Sequence, residues 1–175
     1  ILYIPFVVLV MLAAVNSVNL TDGLDGLAGS ITLFVSIFYL IVSAIDEASA
    51  IAVFAASVAG GILGFLLYNK YPAKVFMGDT GSMFLGGMVV ALAYAIDCPL
   101  ILVLFGIIYV IEAMSDVLQI GYFKATHGKR IFKMSPIHHH YEMSGWSEEK
   151  IVLVFSSITL LGCALAVVSA VLMRN

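Results

Sequence analysis

The side chains able to do chemistry fall in four short stretches of this sequence. In the first, Asn16, Asn19, Asp22 and Asp25 recur at every third position, and Gly23, Gly26 and Gly29 run among them. Residues three apart are neighbours on a helix. If a helix reaches this far, the amides and carboxylates form one polar strip and the glycines a second strip without side chains. Each glycine lowers helix propensity by about 1 kcal/mol, so three of them imply that something packs close. The plainer alternative is a glycine-rich turn with acidic helix caps. The second stretch runs from Tyr68 through Asn69 and Phe76-Met77-Gly78-Asp79-Thr80-Gly81-Ser82 into an apolar segment. Unpaired N–H groups at a helix start attract phosphate. A carboxylate beside them suits Mg2+, which takes one or two carboxylates together with substrate phosphates. An ordinary N-cap by Asp79 or Thr80 is the competing reading. Asp79-Thr80-Gly81 also spells the aspartic-protease triplet, but that chemistry needs a soluble β fold and this triplet enters an apolar helix.

The third stretch is Ser135-Pro136-Ile137-His138-His139-His140-Tyr141-Glu142. Three consecutive histidines cannot share one face of a helix or strand, so at most two point into one site. Histidine binds metal, hydrogen-bonds phosphate or moves protons near neutral pH; a solvated loop is the alternative. The fourth is Glu112, Asp116 and Gln119, spaced i, i+4 and i+7 inside an apolar run. Ionisable groups at membrane depth face a bundle interior or a wet cavity, unless the helix has already left the bilayer there. Lys124, Lys129, Arg130 and Lys133 make a basic loop that positive-inside anchoring explains, with attraction of anionic substrates as a second role.

The elements that carry these residues are membrane helices. Of 175 residues, 62% are apolar and 11% charged, against roughly 45–50% and 25% in soluble domains. Six segments approach the roughly 20 apolar residues of a membrane helix: Ile1–Val15, Leu27–Ile45, Ala50–Tyr68, Ser82–Ile96, Pro99–Phe123 and Ile151–Met173. Runs such as Ile101-Leu102-Val103-Leu104-Phe105 do not alternate, which excludes barrel strands. The expected fold is an all-α polytopic bundle forming a single integral-membrane domain over residues 1–175. Loops 16–26, 69–81 and 124–150 hold Lys70, Lys74, Lys124, Lys129, Arg130, Lys133 and Lys150, whereas the opposite set has only Arg174. The basic loops are therefore predicted to be cytoplasmic, and the chemistry lies beside them. The net charge of −3 gives no footing for nucleic acid. Cys98 and Cys163 are far apart and fit no metal or redox spacing. The chain opens inside an apolar run without a basic flank, so no signal peptide is expected; the run is read as the tail of a longer membrane segment.

From the residues alone, the expected site faces the cytoplasm at the bilayer edge and combines carboxylates, amides, histidines and lysines. It suits an anionic substrate, a divalent metal and a lipid co-substrate. A metal-ion transporter is a rival, distinguished by acidic or histidine pairs at mid-membrane in several spans. A non-catalytic scaffold is another, and it would have no need of Asp79 or His138.

Three motifs in order carry a resemblance. Asn19-Leu-Thr-Asp22-Gly-Leu-Asp25-Gly-Leu, Phe76-Met-Gly-Asp79-Thr-Gly-Ser82 and Pro136-Ile-His138-His139-His140-Tyr141-Glu142 closely resemble those of the polyprenyl-phosphate N-acetylhexosamine-1-phosphate transferases. The triple histidine followed by Tyr141-Glu142 and Gly145-Trp146 is most similar to the muramoyl-pentapeptide branch. The resemblance implies that the chain holds about six of the family's ten membrane helices, its C-terminal portion. The N-terminal portion of the same protein, with a further aspartate pair and a uridine-binding lysine, is then required for activity. The implied reaction moves phospho-N-acetylmuramoyl-pentapeptide from its UDP donor to undecaprenyl phosphate, giving lipid I and UMP, with Mg2+ as cofactor, in the bacterial plasma membrane. A sister reaction with UDP-N-acetylglucosamine is the alternative. By the same resemblance Asp79 is the metal-binding and catalytic aspartate. Asn19 and Asp22 lie near the sugar-phosphate part of the donor, with Asp22 catalytic as well, and Gly23 and Leu24 also bind substrate. Asp25, Asn69 and Phe76 belong to the uridine pocket, Phe76 stacking on the base, and Gly78 permits close approach of the ligand. Gln119, His138, His139 and His140 line the opposite wall, with His138 the first choice for a catalytic role. A homodimer, surrounding membrane lipids and inhibition by uridine nucleoside antibiotics are implied in the same way.

Overall fold

The computed structural model describes residues 2–174. Eight α-helices follow one another: α1 (Tyr3–Thr21), α2 (Leu27–Ile45), α3 (Ser49–Asn69), α4 (Gly78–Ala95), α5 (Leu102–Phe105), α6 (Ile107–Ala125), α7 (Ile137–Glu142) and α8 (Glu148–Arg174), with a 3-10 turn at Pro99–Ile101 before α5. No strand occurs among the described residues. The expected all-α bundle is what the chain forms. Its helices α1, α2, α3 and α8 are each long and apolar enough to cross a membrane.

Two of the six expected spans need correction, and Ile1 of the first span lies outside the described residues. The run Pro99–Phe123 is not one helix. It breaks at Gly106, and the pieces Pro99–Phe105 and Ile107–Ala125 meet at 82°, so they count as a fifth span only if taken together. A β-carbon at Gly106 would lie 2.6 Å from the Leu102 carbonyl oxygen, which is why the chain turns at a residue without one. The segment Ser82–Ile96 falls on α4 and its C-cap Ile96, and α4 is not among the helices long and apolar enough to span. Gly78, Asp79, Thr80, Gly81 and Ser82 occupy its first turn and a half and dilute its apolar content.

The bundle is apolar outside and partly polar inside, as expected where lipid is the solvent. Leu9, Val53, Leu67, Leu153 and Leu161 are exposed on its surface, whereas Thr21, Thr32, Ser36, Ser82, Glu112, His138 and Thr159 are buried. Lipid tails are as apolar as leucine, so burial of apolar surface does not drive helices together; close packing and interhelical hydrogen bonds do. Thr32 and Tyr109 share a 2.7 Å hydrogen bond between α2 and α6, and the Tyr39 hydroxyl donates to the Val89 carbonyl of α4. Phe38 and Phe105 pack with ring centroids 4.6 Å apart. Small residues set the closest approaches. A β-carbon on Gly86 would come within 2.6 Å of the Val15 α-carbon, so α4 lies tight against α1. Helix α2 is the central element, packed on α3 and α8, while α1 packs on α4 and α6. This alternation brings the loops after α1, α3 and α6 together at one end of the bundle.

Candidate active site

The first motif straddles a helix end. Helix α1 continues to Thr21, so Asn16 and Asn19 are helical, but Asp22 is the C-cap and Asp25 lies in the turn before α2. The four-residue strip expected on one continuous helix therefore does not form. The alternative reading, a glycine-rich turn, is what forms: Asp22 caps α1, and the turn ends on Gly26 at φ +77°, a left-handed conformation that glycine adopts without strain. Helix α2 then starts at Leu27. The turn splits the polar groups. Asn19 looks toward α4, where its amide donates to Asp79 Oδ1 at 3.2 Å and to Ser82 Oγ at 2.9 Å. Asp25 looks the other way: its Oδ2 accepts from the Ala73 N–H at 2.8 Å, and its own N–H donates to Glu148 Oε2 at 3.4 Å.

Asp22 is half-buried between these two directions. Its carboxyl is pushed up from 3.8 to about 6, first because burial penalises its charge and second because the Asp79 carboxylate is near. Asp79 occupies the first turn of α4, where the helix dipole favours a negative charge. The helix has no side-chain cap; Met77 precedes it, so neither Asp79 nor Thr80 acts as N-cap. Asp79 is exposed. Gly78 has φ +65° with open space where a side chain would stand, and Phe76 is 73% exposed beside it.

The expected close packing of the three glycines occurs, each against a different neighbour. A β-carbon on Gly23 would overlap His138 Nε2. One on Gly26 would meet the Lys70 α-carbon at 3.5 Å, and one on Gly29 would meet Leu66 Cδ2 at 2.9 Å. Asn69 fastens the same region. Buried, it accepts from the Gly26 N–H at 3.1 Å and donates to the Val75 carbonyl at 2.9 Å. It thereby ties the 22–26 turn to the loop that carries Phe76. Leu24 is buried within the core.

The three histidines diverge on the one-and-a-half-turn helix α7. His138 is fully buried, its Nδ1 2.9 Å from Glu112 Oε2. The His139 Nδ1 pairs with Glu142 at 2.8 Å, and His140 Nδ1 accepts the Lys133 N–H at 3.1 Å. His138 reaches Gly23 of the turn after α1. Gln119 also serves the loop: its Oε1 accepts the N–H groups of Ile131 and Phe132 at 3.0 Å and its Nε2 donates to the Phe132 carbonyl at 3.0 Å. Tyr141 packs on Trp146 with centroids 4.7 Å apart, and Lys150 lies 4.1 Å over the Trp146 ring, which fixes the turn into α8. Two residues join the site that the resemblance did not assign to it. Ser82 does so through Asn19, and only its place in the second motif hinted at it. Glu112 does so through His138; its signal was an ionisable residue within an apolar helix.

Chemically, one end of the bundle thus gathers two carboxylates with a shared electrostatic field, an amide, a hydroxyl, an exposed aromatic ring and a buried imidazole. Asp79 and Asp22 are the groups able to hold a cation. The family model for glycosyl transferase family 4 matches residues 1–97. A phospho-N-acetylmuramoyl-pentapeptide-transferase of Acetivibrio thermocellus is 58% identical over 165 residues, covering 94% of this chain and 50% of the relative. Proteins of the same name from Clostridium novyi and Clostridium acetobutylicum are 56% and 51% identical, covering 99% and 98% of this chain and 53% and 54% of the relatives. The chain spans about half the length of the curated relatives it matches. By the match over its first 97 residues, which include Asn19, Asp22 and Asp79, this membrane chain belongs to glycosyl transferase family 4.

Proposed function

We propose that the chain forms the metal- and nucleotide-facing part of a phosphoglycosyl transferase that moves phospho-N-acetylmuramoyl-pentapeptide from UDP to undecaprenyl phosphate, giving lipid I and UMP. The observation that carries this reading is the Asn19 amide, which bridges the end of α1 to Asp79 and Ser82 at the start of α4. The similarity to relatives of that name supports it. The remaining length of those relatives supplies the rest of the site.

The donor set fits Mg2+. Asp22 is held against the neighbouring Asp79 charge, a repulsion that a divalent cation relieves, and Mg2+ completes its shell with substrate phosphates and water. Asp79 is the principal ligand and Asp22 its partner. Bound there, the ion neutralises charge on the donor diphosphate. Asn19 keeps Asp79 oriented by its hydrogen bond to Oδ1. Phe76 offers an exposed ring face to the uracil base, and Asp25 and Asn69 hold the loop that carries it. Gly78 leaves room for the ligand against the backbone. In the reaction a lipid phosphate oxygen bonds to the sugar-side phosphorus, the phosphorus–oxygen bond to UMP breaks, and UMP keeps the electron pair. A phosphate monoester has its second pKa at about 6, so the attacking oxygen is already anionic and a strong base is unnecessary. Positioning and charge neutralisation supply most of the rate. His138 supplies a hydrogen bond or a proton at the opposite wall.

This reading puts loops 16–26, 69–81 and 124–150 on the cytoplasmic side of a bacterial plasma membrane, in a homodimer, with uridine nucleoside antibiotics competing at the Phe76 side. The test is UMP release by the full-length protein that carries this chain, purified in detergent with undecaprenyl phosphate and Mg2+. Release with UDP-N-acetylmuramoyl-pentapeptide alone, lost on chelation, is the expected result. Release only with UDP-N-acetylglucosamine would move the protein to the sister reaction. No release with either donor would sink the transferase reading and return the transporter and scaffold readings.

A further inference from the structure

We propose that Glu112 is the positioning residue for His138: it engages Nδ1 and so turns Nε2 toward the Asp22-Gly23-Leu24 turn. What His138 does there rests on the transferase reading; how it is held does not.

Both side chains are completely buried, and they come from different elements, Glu112 from α6 and His138 from α7. The contact is Nδ1 to Oε2 at 2.9 Å. It occupies one edge of the ring and leaves the other edge aimed at Gly23, where even a methyl group would overlap Nε2. Nε2 and Glu112 Oε1 are both buried without a hydrogen-bond partner among the described residues. An unpaired buried polar atom is costly, and such atoms in a native fold call for an explanation.

Fastening α6 to α7 is an insufficient one. Gln119 already binds α6 to the chain before α7 through three hydrogen bonds to Ile131 and Phe132. A buried ion pair is also a poor device for stability, since apolar residues of the same volume often hold a fold as well or better. What an apolar pair cannot do is choose between the two ring nitrogens. A carboxylate accepting the Nδ1 proton leaves the Nε2 lone pair facing the turn in neutral imidazole, and keeps Nε2–H facing the same way in imidazolium. Without Glu112 the ring is free to flip and to move its proton to Nε2. The neighbouring histidine shows the contrast: His139 makes the same kind of contact with Glu142, but there the two side chains are 25% and 42% exposed and the carboxylate lies one turn along the same short helix.

Two readouts in the full-length protein test this. The first is the tautomer of His138 by 15N NMR of histidine-labelled protein, at a pH where the imidazole is neutral. Unmodified protein is expected to carry the proton on Nδ1, and Glu112→Leu on Nε2. The second is turnover. Glu112→Leu is expected to lower kcat about 100-fold, within the range for a positioned acid–base group, with KM for the UDP-linked donor changed less than about threefold. Glu112→Gln, whose amide oxygen accepts the same bond, is expected to recover kcat to within about tenfold of the unmodified protein. An Nε2–H tautomer in the unmodified protein would overturn the proposal, as would Glu112→Leu with kcat within about threefold. If Glu112→Leu does not fold, the tautomer of Glu112→Gln decides. Absence of UMP release from the unmodified protein would count against the transferase reading, while the tautomer would still decide the positioning.

Discussion

The two ends of the bundle are tied in opposite ways. At the end remote from the site one cation does the work. The Arg174 guanidinium pairs with Asp46 and donates to the carbonyls of Ala170 at 2.9 Å and Ile96 at 3.4 Å. It thus joins the turn after α2, the turn after α4 and the last turn of α8, and charge meets counter-charge. At the site end the ties run from side chains to loop backbone: Asn69 to Gly26 and Val75, Asp25 to Ala73, Gln119 to Ile131 and Phe132. After all of them, Asp22 still faces a like charge in Asp79, and Glu112 and His138 each retain a buried atom with no partner among the described residues. Like charges brought together and polar atoms left unpaired both oppose folding. One end is closed by mutual satisfaction; the other is braced around groups that find no partner among the described residues.

If that contrast is sound, mutations at the site end should harm function more than folding. Asp79→Asn is the sharpest case. It removes the proposed principal cation ligand but keeps the side chain's shape and an acceptor for Asn19. In the full-length protein we expect UMP release to fall more than about 100-fold, as when a transition-state charge stabiliser is removed. The melting temperature should hold, because an exposed polar exchange typically changes stability by less than about 0.5 kcal/mol. A large drop in melting temperature would show that Asp79 braces the fold after all. Gly23→Ala comes next. Its methyl group overlaps His138 Nε2, so either the turn or the imidazole must move. Overpacking of this kind costs about 1–3 kcal/mol. We expect turnover to fall about tenfold or more from the misplaced imidazole, with loss of stability alongside it. Turnover and melting temperature both unchanged would mean that the ring and the turn are not in firm contact.

Much of this was readable in advance, for identifiable reasons. The apolar runs gave α2 almost residue for residue and α3 to within one residue at each end, because lipid demands a continuous hydrogen-bonded helix wherever the chain crosses. The break at Gly106 was not legible. Glycine is common within membrane helices, and it takes the 82° angle between the flanking pieces to show that this one turns the chain. The three-residue spacing of Asn19, Asp22 and Asp25 marked the right residues but suggested the wrong shape. Spacing assumes a continuing helix, whereas α1 ends at Thr21 with Asp22 as its C-cap and the glycine-rich turn of the alternative reading follows. The histidine run behaved as steric reasoning requires, with one ring inward and two elsewhere. Pairing of Glu112 with His138 spans 26 residues and a folded loop. Periodicity within α6 cannot encode a partner that tertiary structure supplies.

Two smaller effects sharpen the comparison. The carboxyl of Asp22 titrates at about 6 in the folded protein against 3.8 ordinarily, so folding favours its neutral form. Its contribution to stability is fully present below about pH 4 and is lost as pH rises through 6. Thermal unfolding in chelator should therefore show the unmodified protein losing more stability between pH 5 and 7.5 than Asp22→Asn does. Parallel curves would mean that burial and Asp79 do not act on this group. The smallest effect belongs to the closed end. Asp46→Ala breaks the pair with Arg174, whose partners are 25% and 23% exposed, and a pair this accessible to solvent is worth about 0–1 kcal/mol. Arg174 retains the Ala170 and Ile96 carbonyls, so the end of α4 stays joined to α8 and only the tie to the turn after α2 is lost. A slight loss of stability with full turnover is the expected outcome. Impaired turnover would show that the closed end is coupled to the site, since nothing at Asp46 touches the residues around Asp79 and His138.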